Sequence, residues 1–261
     1  MDTPSEKFLP ARVVERRQIA EDLFVLKVEP GGSYDYKAGQ YATLGLERDG
    51  KRVERAYSIV SSPYERALEF FIEHVPAGQL TPLLNVLKED NPLYLRRFAK
   101  GRFTLDLKSG HTNHLLLGTV TGVAPYVSYV RTIFQDWKKG GSPMPGEHRL
   151  FCVHGSSHAH EFGYRDELEK IAAEAPWFKY VPTISRPWED AAWKGETGRV
   201  DDLMRKYISE WSLQPAEATG YLCGHPGMIE NGREILQRAG WPKGSTFEEA
   251  YFLPGKEVTT E

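Results

Sequence analysis

Two hydrophobic rhythms divide this chain. Up to about residue 108 the apolar residues fall in short runs, at 12–15, 23–28, 40–46, 55–60, 67–75, 93–97 and 103–107, each the length of a β-strand. Glu29-Pro30-Gly31-Gly32 and Arg48-Asp49-Gly50-Lys51 punctuate the runs as turns, the second suited to a tight hairpin. One helix interrupts them. Leu80, Leu83, Leu84 and Leu87 recur at helical spacing over 81–88, with Thr81 as N-cap and Pro82 as first helical residue. Strands at this spacing with a single inserted helix predict a small antiparallel β-barrel.

From His111 strands and helices alternate. Strands are predicted at 114–117, 150–154, 178–184, 221–223 and 247–253. A helix opening at Pro125 gathers Val127, Val130, Ile133, Phe134 and Trp137 on one face and ends at Gly140-Gly141-Ser142-Pro143. Others follow over 164–173, 200–211 and 226–239, the last stopped by Gly240. This is the pattern of a doubly wound parallel α/β sheet, in which ligands sit beyond the carboxyl ends of the strands. The expected organisation is therefore a barrel domain over 1–108 and an α/β domain over 109–261.

Composition narrows the function. A length of 261 residues suits two domains, and 33 Lys and Arg against 36 Asp and Glu leave a net charge of −3, which argues against a dedicated nucleic-acid binder. No apolar run is long enough to span a membrane, and the first seventeen residues are polar, so a cytoplasmic protein is expected. Cys152 and Cys223 lie far apart without a CxxC, and the eight histidines form no HxxxH or HExxH pair, so no metal site is expected. An organic cofactor fits better.

Three stretches suit such a cofactor. In Arg55-Ala56-Tyr57-Ser58, strand alternation sends Arg55 and Tyr57 to one face and Ala56 and Ser58 to the other. A guanidinium for an anion, a ring to stack on and a hydroxyl donor are what a flat cofactor with a phosphate tail requires. Gly78-Gln79-Leu80-Thr81-Pro82 puts a glycine at a helix N-terminus, where free N–H groups can meet phosphate. Gly118-Thr119-Val120-Thr121-Gly122-Val123-Ala124-Pro125 runs strand, loop, helix, the setting of a dinucleotide turn.

In this order, and with Cys223-Gly224-His225-Pro226-Gly227-Met228, these stretches resemble the sequential signatures of the ferredoxin–NADP reductase family, most closely its bacterial FAD enzymes. The resemblance spans nearly the whole chain. It implies a flavin-binding barrel followed by an NADP-binding domain. Arg55 would meet the FAD pyrophosphate, Tyr57 would lie against the isoalloxazine and Ser58 would reach toward N5. Ala56, Ile72, His74, Gly78, Gln79, Leu80, Thr81 and Thr121 would complete the FAD site. Gly118, Thr119, Gly122, Gly224 and Met228 would hold the dinucleotide, with Cys223 beside the nicotinamide. Ser185, Arg186 and Arg199 match positions that bind the 2′-phosphate, a dianion suited to paired guanidinium N–H groups. From the C-terminal strand, Tyr251 or Phe252 would pack on FAD, with Ala250 near the isoalloxazine. The chain departs from the family pattern at Val120, where glycine is usual, and at Ser157, where arginine often stands; both imply a looser nicotinamide and phosphate site.

Arg96, Arg97, Lys100 and Arg102 form a basic run that reads as a solvated strand face or as a docking surface for an acidic ferredoxin or flavodoxin. The implied activity is electron transfer between NADP(H) and such a partner through FAD in a monomer. A flavin or quinone-type reductase of the same superfamily and a non-catalytic flavoprotein docking subunit are the alternatives.

Overall fold

The computed structural model describes residues 7–141 and 147–251. The first half folds into six antiparallel strands: β1 (Phe8–Gln18), β2 (Leu23–Pro30), β3 (Tyr41–Arg48), β4 (Lys51–Ser58), β5 (Leu68–Glu73) and β6 (Pro92–Arg96), in the order β4-β3-β6-β1-β2-β5. The two outer strands curl together, and the Val60 N–H donates to the Glu69 carbonyl at 2.8 Å. Every second side chain points inward, so that Val13, Phe24, Leu26, Leu44, Phe70 and Ile72 form one apolar core. The β3–β4 hairpin turns at Asp49 and Gly50, both with positive φ (52° and 72°), as its tight loop requires.

Two expectations are corrected here. The helix predicted over 81–88 is a single turn, α1 (Thr81–Asn85), and Thr81 does not cap it. The Thr81 hydroxyl instead accepts the Val75 N–H at 3.0 Å and donates to the Val75 carbonyl at 3.1 Å, tying off the loop before the helix. The strand predicted at 103–107 does not form. Its backbone groups are taken by side chains from the second half: the Phe103 carbonyl accepts the Tyr129 hydroxyl, and the Asp106 N–H donates to the Tyr221 hydroxyl at 2.8 Å.

The second half is a parallel sheet of β7 (Asn113–Thr119), β8 (Arg149–Ser156), β9 (Phe178–Ile184), β10 (Glu196–Thr197), β11 (Ala218–Gly224) and β12 (Thr246–Ala250), ordered β10-β9-β8-β7-β11-β12. The two-residue β10 lies in what the sequence offers only as a loop. Helices α2 (Ala124–Lys138) and α3 (Arg165–Glu174) cover one face, while α4 (Val200–Glu210) and α5 (Pro226–Arg238) cover the other. Leu116 therefore packs with Tyr126 and Val130, while Leu115 and Leu117 pack with Met204 and Leu236. Strand order reverses between β7 and β11, and this is where an open α/β sheet has its ligand crevice.

The halves are joined through α2. Its Tyr126, Val127 and Val130, with Val123 just before it, share a core with Leu23, Val25, Val60 and Phe71 of the barrel. Beside this apolar seam, Arg131 forms ion pairs with Glu69 at 3.2 Å and Glu167 at 2.7 Å, and Tyr164 donates to Glu69 at 2.6 Å. Glu69 is only 3% exposed, so these partners hold a carboxylate that water does not reach. Burial alone would lower the Arg131 pKa, but the bonds to Glu167 and the charges of Glu69 and Glu65 raise it, so the guanidinium stays charged.

Candidate active site

Three strand ends meet where the barrel faces the parallel sheet. Ser58 closes β4 and is 7% exposed, and its hydroxyl donates to the Glu249 carboxylate of β12. Cys223, at the end of β11, stands in register with Glu249 on one side and Gly118 on the other. The Tyr251 N–H donates to the Gly224 carbonyl at 2.9 Å, and its hydroxyl donates to the Thr121 carbonyl at 3.2 Å. Ser58, Cys223, Thr121 and Tyr251 are thus brought together at one place. Burial pushes the Glu249 carboxyl up, partly offset by the Ser58 bond, and pushes the Cys223 thiol well up with help from the Glu249 charge. The sequence reading did not single out Glu249. Its signal was strand alternation, which places it on the same face as Tyr251 two residues later.

Around Tyr57 the geometry fits a bound flavin dinucleotide. The ring packs edge-on against Phe70, with centroids 6.5 Å apart, yet its buried hydroxyl has no partner among the described residues. Arg55 is exposed, donating to the Glu54 carbonyl at 2.7 Å and to the Gln79 side chain at 3.3 Å, so it reaches the Gly78 loop. At Gly78 a Cβ would stand 2.9 Å from both the Thr81 hydroxyl and the Val75 carbonyl, which leaves room for glycine alone. Arg48, also missed, binds the Gln79 carbonyl at 3.2 Å and brings a second cation to this loop. Ile72 and Leu80 are buried in the barrel core, so packing occupies their side chains. His74 donates its N–H to the Asp22 carbonyl at 2.6 Å. Ala56 and Ala250 are exposed, and Phe252 lies outside the described residues.

The dinucleotide turn follows β7 as a 3-10 turn over Val120–Val123 that leads into α2. Its glycines allow close approach. A Cβ on Gly122 would lie 2.3 Å from the Cys223 carbonyl, and Gly224 (φ 121°) crowds the Thr119 hydroxyl. That hydroxyl accepts the His225 N–H at 2.9 Å, binding the ends of β7 and β11 to each other. Val120 adopts φ 47°, the left-handed region that a β-branched side chain disfavours. The valine thus reproduces the glycine conformation instead of abolishing it. His154 holds it there. A carbonyl can only accept, so His154 donates Nε2–H to the Val120 carbonyl at 2.9 Å, and its Nδ1 then accepts from the Tyr180 hydroxyl at 3.0 Å. Burial pushes the His154 pKa down to about 4, so the ring stays neutral. Both ring nitrogens are thus satisfied inside the core.

At the far end of the crevice, the Ser185 and Arg186 N–H groups donate to the Ser156 and Ser157 carbonyls at 3.0 and 3.2 Å. Arg186 is exposed; Arg199 is also exposed and pairs with Asp201 at 3.4 Å. Asp201 is buried and accepts a second bond from Asn231 at 2.9 Å, so Arg199 is braced at the start of α4. Met228 is buried in the core beneath α5. In the basic run, Arg96 is tied to Glu54 at 2.6 Å, while Arg97, Lys100 and Arg102 are exposed beside Phe98, itself 72% exposed.

Comparison with known proteins agrees with this arrangement. Residues 10–105 match the oxidoreductase FAD-binding domain, and residues 116–234 match the oxidoreductase NAD-binding domain. A ferredoxin–NADP reductase of Pseudomonas aeruginosa is 31% identical over 245 residues, covering 88% of this chain and 89% of that protein. The electron transfer component of a toluate 1,2-dioxygenase from Pseudomonas putida is 26% identical over 92% of this chain and 67% of its own length. Among solved structures, a ferredoxin NADP+ reductase from Neisseria gonorrhoeae with bound FAD and NADP superposes with a TM-score of 0.81 at 22% identity, over 95% of this chain and 100% of that one. An FAD-binding barrel, an NAD(P)-binding sheet and close relatives along nearly their full length lead to one assignment: the chain belongs to the ferredoxin–NADP reductase family of oxidoreductases.

Proposed function

We propose that this protein passes electrons between NADP(H) and a ferredoxin or flavodoxin, acting as a cytoplasmic monomer. The observation that carries this reading is the meeting of Ser58, Cys223, Glu249 and Tyr251 from β4, β11 and the C-terminal segment at the switch point of the parallel sheet. In it residues 1–108 hold FAD and 109–261 hold NADP(H), with the C-terminal segment returning to the flavin. FAD, when bound, takes hydride as an electron pair and releases electrons one at a time. The chain's own residues arrange that exchange. Arg55 and the Gly78 loop anchor the pyrophosphate, and Tyr57 offers its buried hydroxyl to the cofactor. Ser58 Oγ, bonded to Glu249, holds a proton next to the reacting edge, and burial raises the Glu249 pKa above its ordinary value, which favours the protonated carboxyl relative to an exposed glutamate. Cys223 and Thr121 line the nicotinamide side, while Tyr251 keeps water from it. Arg186 and Arg199 select the 2′-phosphate. Arg97, Lys100 and Arg102, with Phe98 among them, form the docking face.

The likeness to an oxygenase electron transfer component favours a second reading, in which the acceptor is a monooxygenase or dioxygenase partner. One experiment separates the two readings. Anaerobic NADPH should bleach the bound flavin rapidly, and cytochrome c reduction should rise only when ferredoxin or flavodoxin is added. Bleaching without stimulation by either protein would favour the oxygenase partner, and no bleaching would leave a docking subunit.

A further inference from the structure

Beside the Ser185–Arg186 turn lies a cluster with no part in the chemistry above. His158 caps the short turn Ala159–Glu161 that follows β8 and His160 lies within it, with their rings stacked 18° from parallel at 5.2 Å. A ring nitrogen from each histidine and a carboxylate oxygen of Glu161 lie within 4.8 Å of one another. We propose that these three residues form a binding site for a zinc-class divalent cation, with His158 Nδ1, one nitrogen of His160 and Glu161 Oε1 as ligands.

Each ligand is presented by its surroundings. Glu161 Oε2 accepts the backbone N–H groups of Ser157 at 2.7 Å and His158 at 3.0 Å, which fixes the carboxylate and directs Oε1 at His158 Nδ1, 3.0 Å away. On the opposite edge of the imidazole, Nε2 lies 2.7 Å from Glu189 Oε2. Glu189 is steadied in turn by Trp188, whose Nε1–H donates to Oε1 at 3.2 Å. A carboxylate on the outer nitrogen is the usual support of a metal-bound histidine; it fixes the tautomer and makes the inner nitrogen a better donor. Here both ring nitrogens face carboxylates, so without metal Nδ1–H donates to Glu161 Oε1; a bound cation would take the place of that proton while Glu189 keeps Nε2–H. His160 is exposed and free to turn its ring onto the same point.

The donor set decides the ion. Two imidazoles and one carboxylate suit Zn²⁺ and its neighbours Co²⁺, Ni²⁺ and Cu²⁺, whereas Mg²⁺ and Ca²⁺ prefer oxygen alone. With metal–donor distances of about 2.1 Å, adjacent donors in tetrahedral or octahedral geometry stand about 3.0–3.4 Å apart, and the His158–Glu161 spacing already meets this. Three protein ligands leave the rest of the coordination sphere to water. Alone, the His158–Glu161 contact is also a turn-capping pair; a His160 nitrogen within 4.8 Å and the Glu189 support behind Nε2 distinguish a site from a cap.

The test uses the FAD-loaded full chain with any purification tag removed, titrated calorimetrically with zinc chloride. Co²⁺ is added in parallel to read d–d absorption. One-to-one saturable Zn²⁺ binding at micromolar concentration is expected, with visible Co²⁺ bands. His158→Ala and His160→Ala should each weaken binding at least tenfold, and Glu189→Gln, which touches no metal, about ten- to a hundredfold. His111→Ala, a histidine outside the cluster, should bind as the parent does. His160 is exposed and its removal leaves the fold intact, as far-UV circular dichroism would verify. Absence of saturable binding, or stoichiometric binding that survives the His158→Ala/His160→Ala double change, overturns the site.

Discussion

Tyr57→Phe tests the flavin seat through a change of one atom. The Tyr57 hydroxyl is buried without a partner among the described residues, whereas its ring is held by packing on Phe70 that phenylalanine would keep. A buried, unsatisfied hydroxyl costs about 1–3 kcal/mol of desolvation. Deflavinated Tyr57→Phe protein should therefore be more stable than the deflavinated parent. For a chain of this size each kcal/mol raises the melting temperature by about 2–4 °C. In the proposed reading FAD supplies the partner of this hydroxyl, so the parent should recover on binding what the variant never lost. The same quantity must reappear as weaker affinity, by about ten- to a hundredfold in Kd. Scanning calorimetry of both deflavinated proteins, with a flavin-fluorescence titration of each, measures the two sides of this cycle. A variant that melts lower than the parent, or binds FAD equally well, would refute the assignment of this hydroxyl to the cofactor.

Further outcomes can be measured on the same preparation. Arg186→Ala and Arg199→Ala should raise the KM for NADPH by about ten- to a hundredfold and leave NADH nearly unchanged, since a charge-assisted contact is worth about 1.5–3 kcal/mol; the preference should shrink with salt, and equal effects on both coenzymes would remove this phosphate pocket. Glu249→Gln keeps the size of the side chain but not its proton chemistry, so stopped-flow flavin reduction by NADPH should slow by about a hundredfold with little change in NADPH affinity. An unchanged rate would reduce Glu249 to a brace for Ser58. At Val120, relief of about 1–2 kcal/mol of left-handed strain should offset about 1 kcal/mol of lost packing and about 0.5–1 kcal/mol of added glycine entropy. Val120→Gly should thus be nearly neutral in urea unfolding, and a loss above about 2 kcal/mol would mean the backbone there is unstrained. The buried His114 and His154 have folded pKa values lowered by burial to about 4 from 6.5, so their contribution to stability is complete above 6.5 and disappears as pH falls from 6.5 toward 4. Urea midpoints that stay flat between pH 7 and 5 would contradict this.

The parts of the structure legible in the sequence were those set by local pattern. Asp49-Gly50 announced its hairpin because few residues tolerate two successive positive φ angles, and Leu115, Leu116 and Leu117 read as a strand because both faces of a parallel sheet are apolar. Misreadings arose where distant side chains took over backbone groups. Phe103 to Leu107 has the composition of a strand, but Tyr129 and Tyr221 capture its hydrogen bonds, and both lie on elements that no local window includes. Thr81 has the chemistry of an N-cap but spends its hydroxyl on Val75. Glu249 escaped notice because its partner, Ser58, lies 191 residues earlier. Val120 looked like a departure from the dinucleotide turn. Its compensation, His154 with Tyr180, comes from two other strands.

The Arg131–Glu69–Tyr164 junction also bears on how such chains can be recombined. A chimera that joins this barrel to the nucleotide sheet of a relative would bury Glu69 without Arg131 or Tyr164 opposite it, with Lys27 still 3.8 Å away. Removing one partner of a buried ion pair costs about 3–5 kcal/mol, a large part of the stability of an ordinary domain. The reciprocal chimera would strand Arg131 between Glu167 and a foreign barrel. Shuffling the two halves should therefore succeed only when donor and recipient carry the same acid on β5 and the same base on α2, so that the junction is inherited as a matched pair.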